Sequence, residues 1–153
     1  MTVVEGAPAP DFTLESDDQG PVTLSKLKGR KVVLYFYPKD DTPGCTVQAC
    51  DFRDALPRFD AVDAVVLGVS PDDVASHAAF RAKFGLTFPL LADPDAVVSQ
   101  LYGAWRERVV NGASRKGIER STILIDEKGM VDRVWRGVTA QGHMEMLAEL
   151  LGA

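Results

Sequence analysis

Apolar residues recur along the chain in two periods, and the alternation between those periods orders the elements. Short apolar runs at 12–14 and 22–24 flank a turn-rich stretch at 16–21 and predict a hairpin. Residues 31–37 read Lys-Val-Val-Leu-Tyr-Phe-Tyr, the β-branched and aromatic composition of a strand buried on both faces. Beyond Pro43, Ala49, Phe52, Leu56 and Phe59 recur at steps of three and four, which predicts a helix with one buried stripe. Pro57 falls inside that helix. It has no N–H for the carbonyl four residues back, so a kink or break is expected over 53–57. Residues 64–69 read as a second core strand, followed by a helix start at Ser70, Pro71 and Asp73 with Ser70 as hydroxyl cap and an end near Gly85. A short apolar run at 88–91, a helix over 95–102, strands at 121–125 and 130–135 and a last helix over 141–151 complete the pattern. The order is that of a mixed α/β fold with an antiparallel pair late in the chain.

Composition narrows the class of function. A chain of 153 residues, 46% hydrophobic and 25% charged, suits one water-soluble domain spanning 1–153, large enough to need no disulfide staples. The net charge of −5 and the lack of any basic run argue against nucleic acid or an anionic membrane surface as partner. No leader-like flank and no long apolar stretch stand out, so a cytoplasmic location is expected. In that reducing compartment the two cysteines, Cys45 and Cys50, are not a stability framework and need another explanation.

The segment Tyr37-Pro38-Lys39-Asp40-Asp41-Thr42-Pro43-Gly44-Cys45-Thr46 joins the predicted central strand to the predicted helix. Open α/β folds place their sites at such strand ends. Cys45 falls in the first helical turn, where unpaired N–H groups and the positive end of the helix dipole favour a thiolate over a thiol. Pro38 and Pro43 stiffen the loop, and the N–H groups of Gly44 and Cys45 are placed to meet a substrate oxygen. A free cysteine here also suits a small buried hydrophobe. On a regular helix Cys45 and Cys50 are separated by a rotation of about 140° and a rise of about 7.5 Å, hence about 8.7 Å between Cα atoms. That exceeds the reach of a disulfide, so a bridge between them requires local unwinding. Arg120 stands at the mouth of the apolar strand at 121–125. It suits either a guanidinium that stabilises a thiolate or a surface salt bridge.

Other uses of these residues find less support. Structural zinc takes four ligands with shorter cysteine spacing, and His77 and His143 lie far from Cys45 in sequence, each reading as a solvated or packing residue, so no metal is expected. No Gly-x-Ser-x-Gly elbow marks a hydrolase. A general disulfide oxidoreductase more often carries Cys-x-x-Cys, while a redox sensor or holdase would share the reactive thiol but turn over slowly. Asp40 and Asp41 read as a solvated loop, and Trp105 and Trp135 as core or rim residues.

With these residues in view, the chain resembles the peroxiredoxins, specifically the peroxiredoxin Q or bacterioferritin comigratory protein type. The resemblance is carried by Tyr-Phe-Tyr-Pro-Lys at 35–39, Thr-Pro-Gly-Cys-Thr-Val-Gln-Ala-Cys-Asp-Phe-Arg at 42–53, Gly-Val-Ser at 68–70, Phe-Pro-Leu-Leu-Ala-Asp at 88–93, Arg-Ser-Thr at 120–122 and Gly-His at 142–143. It implies a single-domain thioredoxin-like fold, a central mixed sheet flanked by helices with an N-terminal hairpin extension. It implies Cys45 as the peroxidatic cysteine, Thr42 as a hydroxyl partner of peroxide and thiolate, Arg120 as the activating guanidinium, Pro38, Pro43 and Gly44 around the substrate, and Cys50 as the resolving cysteine. The implied substrates are hydrogen peroxide and organic hydroperoxides, the implied reductant is thioredoxin or a similar dithiol, and many members are monomers. No metal, haem or flavin cofactor is needed. Pro57 in the long helix and Ile123, where an aromatic is common, depart from the family pattern.

Overall fold

In the computed structural model, which describes residues 3–153 and the backbone alone at positions 108 and 110, one seven-stranded sheet organises the chain. Its strands are β1 (Thr13–Ser16), β2 (Gly20–Thr23), β3 (Lys31–Phe36), β4 (Ala64–Ser70), β5 (Leu90–Ala92), β8 (Ser121–Ile125) and β9 (Val131–Trp135), in the order β2-β1-β5-β4-β3-β8-β9. β6 (Trp105–Val110) and β7 (Ala113–Ile118) form a separate two-stranded ribbon. The helices are α1 (Pro43–Ala61), α2 (Val74–Phe84), α3 (Val97–Leu101) and α4 (His143–Leu151).

β3 pairs parallel with β4 and antiparallel with β8, so it has no free edge, and every residue from Val32 to Phe36 is buried. Its period-2 alternation divides the core. Val32, Leu34 and Phe36 face α3, Tyr102 and the end of β7, while Val33, Tyr35 and Tyr37 face α1, α2 and α4. The expected N-terminal hairpin is β1–β2, joined to the sheet by antiparallel pairing of β1 with β5.

Three local expectations are corrected. The helix α1 runs without interruption through Pro57. The proline deletes one ladder bond, but buried Phe52, Ala55 and Phe59 clamp the turns on either side of it against the sheet. The cap of α2 is Asp73, whose carboxylate accepts from Ser76 N, and not Ser70, which is the buried last residue of β4. Gly85 ends that helix in the left-handed conformation, as a C-terminal glycine should. The helix expected over 95–102 is a 3-10 turn followed by the short α3, because Asp95 and Ala96 adopt left-handed backbone angles.

The β6–β7 ribbon was not anticipated from apolar periodicity, since its strands are mostly polar. Its signal is the turn dipeptide Asn111-Gly112, with φ of 52° and 76°, which closes a two-residue hairpin. No helix among the described residues is long and apolar enough to cross a membrane.

Candidate active site

Topology gathers the predicted residues at one pole of the sheet. β3 ends at Phe36 and feeds the loop 37–42 into α1, which starts with Pro43 at its first position and Thr42 as N-cap. Because β8 runs antiparallel to β3 with Phe36 opposite Ser121, the preceding residue, Arg120, is delivered to the same pole. The apolar alternation of β8 then turns Arg120, like Thr122 and Leu124, toward the α1 side.

Cys45 is the third residue of α1 and only 2% exposed. Arg120 Nη2 donates to its Sγ at 3.3 Å, while Nη1 donates to Gln48 Oε1 at 2.6 Å. One guanidinium therefore bridges two side chains on the same face of the helix, three residues apart. Among the described residues Arg120 forms no ion pair with a carboxylate, so the surface salt bridge weighed for it is absent. Gln48 was missed by the sequence reading, although its place three residues after Cys45 is the available signal. As a neutral amide it orients Arg120 without neutralising the charge presented to sulfur, and its buried Nε2 has no partner among the described residues.

Gly44 matters for space rather than for backbone freedom. A Cβ there would lie 3.1 Å from Arg120 Nη2, so glycine lets the guanidinium rest on the helix start without being pushed back. The first bond of the helix runs from Thr46 N to Thr42 O at 2.8 Å, which leaves the N–H groups of Gly44 and Cys45 unpaired within the helix and directed out of its N-terminus. Thr42 Oγ1 donates to Lys39 O at 2.9 Å and makes no capping bond. Its proton is committed, and its lone pairs remain as acceptors. Pro38 and Pro43 lie on either side of this loop, both exposed.

Cys50, partly buried, sits on the same unbroken helix, and both thiols are free. Regular helix geometry keeps their Cα atoms about 8.7 Å apart, beyond bonding range.

The histidines are buried bonded groups and not solvated ones. His143 Nε2 lies 2.8 Å from Thr122 Oγ1, with the ring edge-on to Trp135. Burial, aided by the charge of Arg120, pushes its pKa down to about 4, so it is neutral beside the site. Asp40 is also buried, against the expectation of a solvated loop, while Asp41 is exposed and pairs with Lys83 at 2.7 Å. A cleft of about 240 Å³ opens at the opposite end of β3, near Lys28, Val32, Ile125 and Met130, and includes none of the residues around Cys45.

Comparison with known proteins identifies the family of the chain. Residues 6–134 match the AhpC/TSA family. The chain is 47% identical to a putative peroxiredoxin Bcp of Coxiella burnetii over 99% of both proteins, and 45% identical to peroxiredoxin Bcp of Bacillus subtilis over 94% of this chain and 92% of that one. Among solved structures it is similar to peroxiredoxin Q of Xanthomonas campestris, with 39% identity, a TM-score of 0.91 and coverage of 98% and 96%. It matches equally, at TM-score 0.91 and 39% identity over 98% and 97%, a trapped intermediate/ligand complex of the bacterioferritin comigratory protein of the same organism, described for that protein's alkyl peroxide reduction. With the mixed sheet and flanking helices of a thioredoxin-like peroxiredoxin fold, the chain belongs to the AhpC/TSA family and is a thiol-dependent peroxidase of the peroxiredoxin Q/Bcp type.

Proposed function

We propose that Cys45 is the peroxidatic cysteine, Cys50 the resolving cysteine, and Arg120, Thr42 and the first turn of α1 the groups that activate the peroxide. The observation that carries this reading is the 3.3 Å contact of Arg120 Nη2 with Cys45 Sγ at a helix N-terminus. The Cys45 thiolate attacks the terminal oxygen of a hydroperoxide, the S–O bond forms as the O–O bond breaks, and the leaving alkoxide or hydroxide takes up a proton. Thr42 Oγ1, its own proton held by Lys39 O, accepts the hydroperoxide O–H. Arg120 and the free N–H groups of Gly44 and Cys45 are preorganised donors for the oxygen on which charge develops. Pro38 and Pro43 border the loop that a hydroperoxide has to approach.

Sulfenic Cys45 then condenses with the Cys50 thiol, releasing water and forming a disulfide, for which α1 has to unwind. A thioredoxin-type dithiol takes the disulfide by thiol exchange and leaves two thiols. All the redox chemistry resides on sulfur, so the cycle needs no cofactor. Both cysteines lie on one helix, so a monomer is a sufficient catalytic unit, acting in the cytoplasm on hydrogen peroxide and organic hydroperoxides with no nucleic acid or membrane involved.

The test is a stopped-flow titration of hydrogen peroxide with thioredoxin and its reductase. Wild type turns over. Cys45→Ser consumes no peroxide, because a serine hydroxyl is protonated at neutral pH and is a far weaker nucleophile toward O–O. Appreciable turnover by Cys45→Ser would end this assignment.

A further inference from the structure

The loop that carries Thr42 is tied to α2 through buried charge that the peroxide chemistry does not use. Asp40 Oδ1 accepts from Tyr37 Oη at 2.6 Å, and Oδ2 accepts from Ser76 Oγ at 2.8 Å and lies 2.7 Å from His77 Nδ1. The Asp40 N–H donates to Asp72 Oδ2 at 2.8 Å, and Ser70 Oγ donates to the same oxygen at 2.7 Å. His77 is fully buried, and its Nε2 lies 2.9 Å from Leu91 O. A carbonyl oxygen can only accept, so Nε2 carries a proton. The second nitrogen faces a carboxylate, so the arrangement closes with an imidazolium and an ionised Asp40. Burial works against the charge on His77, but the hydrogen bond and charge of Asp40, with Leu91 O and Asp72, outweigh it and raise its pKa above the ordinary value. Burial likewise opposes the Asp40 carboxylate, and the bonds from His77 and Tyr37 lower its pKa nonetheless. With both ring nitrogens donating, His77 has no lone pair for a metal, although Asp40, Asp72 and His77 cluster within 4.8 Å.

The ties change character at one point along the loop. Up to Asp40 they are buried and charged. Beyond it, Asp41 holds a left-handed φ of 59°, steadied by an exposed pair with Lys83, and Thr42 is held back to Lys39 O by a single exposed bond. The loop's own ties beyond Asp40 are thus single and exposed, so the buried anchor at Asp40 is what holds Thr42 and the start of α1 in place. The groups facing His77 are Asp40 and Tyr37 from the loop, Asp72 from the turn after β4 and the Leu91 carbonyl of β5. Arg81, one turn further along α2, is engaged by Asp17 and Asp18.

We propose that the buried Asp40–His77 pair is a positioning unit for the loop 37–42, which keeps Thr42 and the first turn of α1 in the folded, peroxide-reactive arrangement and thereby sets how sulfenic Cys45 divides between resolution and over-oxidation. This rests on the roles of Cys45 and Cys50 given above. Over-oxidation requires the folded arrangement to persist, because the Cys45 sulfenate must attack a second hydrogen peroxide, giving sulfinate and water. Resolution requires α1 to open. Weakening the anchor therefore slows the first attack and also lowers the sulfinate formed per turnover. A residue that merely supports the fold would not produce this paired change.

The experiment uses the full-length reduced protein and hydrogen peroxide, measuring the single-turnover attack constant, the sulfinate fraction by intact mass, and the melting temperature between pH 6 and pH 10. His77→Leu leaves Asp40 without its partner and should slow attack by about tenfold or more through misplacement of Thr42, with less sulfinate per turnover. In wild type both quantities should fall on the alkaline side as His77 loses its proton. Asp40→Asn keeps the network with a neutral imidazole, because its amide N–H donates to Nδ1, and should remove that alkaline loss even if His77→Leu does not fold. A flat wild-type profile to pH 10, or an alkaline loss that persists in Asp40→Asn, would overturn the proposal. So would variants that melt earlier but keep the wild-type rate and sulfinate fraction. Failure of wild type itself to lose the Cys45 thiol to peroxide would instead overturn the underlying assignment of Cys45.

Discussion

Replacing Gly44 by alanine separates the placement of Arg120 from the stability of α1. The added Cβ would stand 3.1 Å from Nη2 and 3.9 Å from Cζ, and the guanidinium, as the free end of a flexible side chain, is what gives way. Nη2 is also the nitrogen that reaches Cys45 Sγ at 3.3 Å. At an effective dielectric of about 20, a thiolate and a guanidinium at that distance interact by about 5 kcal/mol, and a retreat of about 0.5 Å removes about 0.7 kcal/mol. That corresponds to about a threefold slower attack. Arg120→Ala sets the ceiling, since a lost hydrogen bond to a charged group is worth about 1.5–3 kcal/mol, or roughly 10- to 150-fold. The helix itself responds in the opposite direction. Gly44 is not in the left-handed region, and alanine is favoured over glycine in helices by up to about 1 kcal/mol, less in a first turn. The expected result is a slower single-turnover reaction with hydrogen peroxide together with an unchanged or raised melting temperature. A wild-type attack constant in Gly44→Ala, alongside a slowed Arg120→Ala, would falsify the claim that this close approach places the guanidinium.

Three further outcomes follow from the helix and from the buried histidine beside it. Cys50→Ser should complete one turnover, accumulate sulfenic and sulfinic Cys45 and lose cycling with a dithiol. In the wild-type protein, amide exchange over residues 42–59 should quicken on oxidation while β3 and β8 stay protected, and matching patterns in the two redox forms would point to a resolving thiol elsewhere. His143 has a folded pKa of about 4 against an ordinary value of 6.5, so the unfolded chain binds the extra proton between those values and stability rises with pH across that window. Acidification from pH 6.5 toward 4 should cost wild type about 2 to 3 kcal/mol through this group. His143→Gln should flatten that part of the melting-temperature profile relative to wild type, and parallel profiles would show that His143 does not titrate there.

Much of the fold was legible because its central elements are specified locally. The continuous apolar runs at 31–37 and 64–69 have only one favourable use, a strand covered on both faces, and they form β3 and β4 within a residue of expectation. The stripe of Ala49, Phe52 and Phe59 likewise predicts α1 and the face it buries. Position at a strand-to-helix junction was enough to single out Cys45. Where local signals misled, packing overrode them: Pro57 breaks an isolated helix more readily than one clamped by buried aromatics on the turns around it. The β6–β7 ribbon escaped notice because its strands bury little and show no apolar period, while the Asn111-Gly112 turn that closes it went unread.

The sequence by itself determined the central strands and the long helix, the place of Cys45 at the start of that helix, and that two cysteines five positions apart on a helix cannot be bonded without unwinding. These are short-range matters, settled by periodicity and by helix geometry. The tertiary structure alone decided what surrounds the thiol. Arg120 reaches Cys45 across 75 positions because β8 pairs antiparallel with β3. Gly44 matters because that guanidinium lies over it. Asp40, which reads as a solvated acid in a loop, becomes half of a buried ion pair only once α2 brings His77 from 37 positions away. Charge, hydrogen bonding and excluded volume act over a few ångströms, whatever the separation along the chain, so the partners of these groups appear only when the sheet and its crossovers have brought distant segments together.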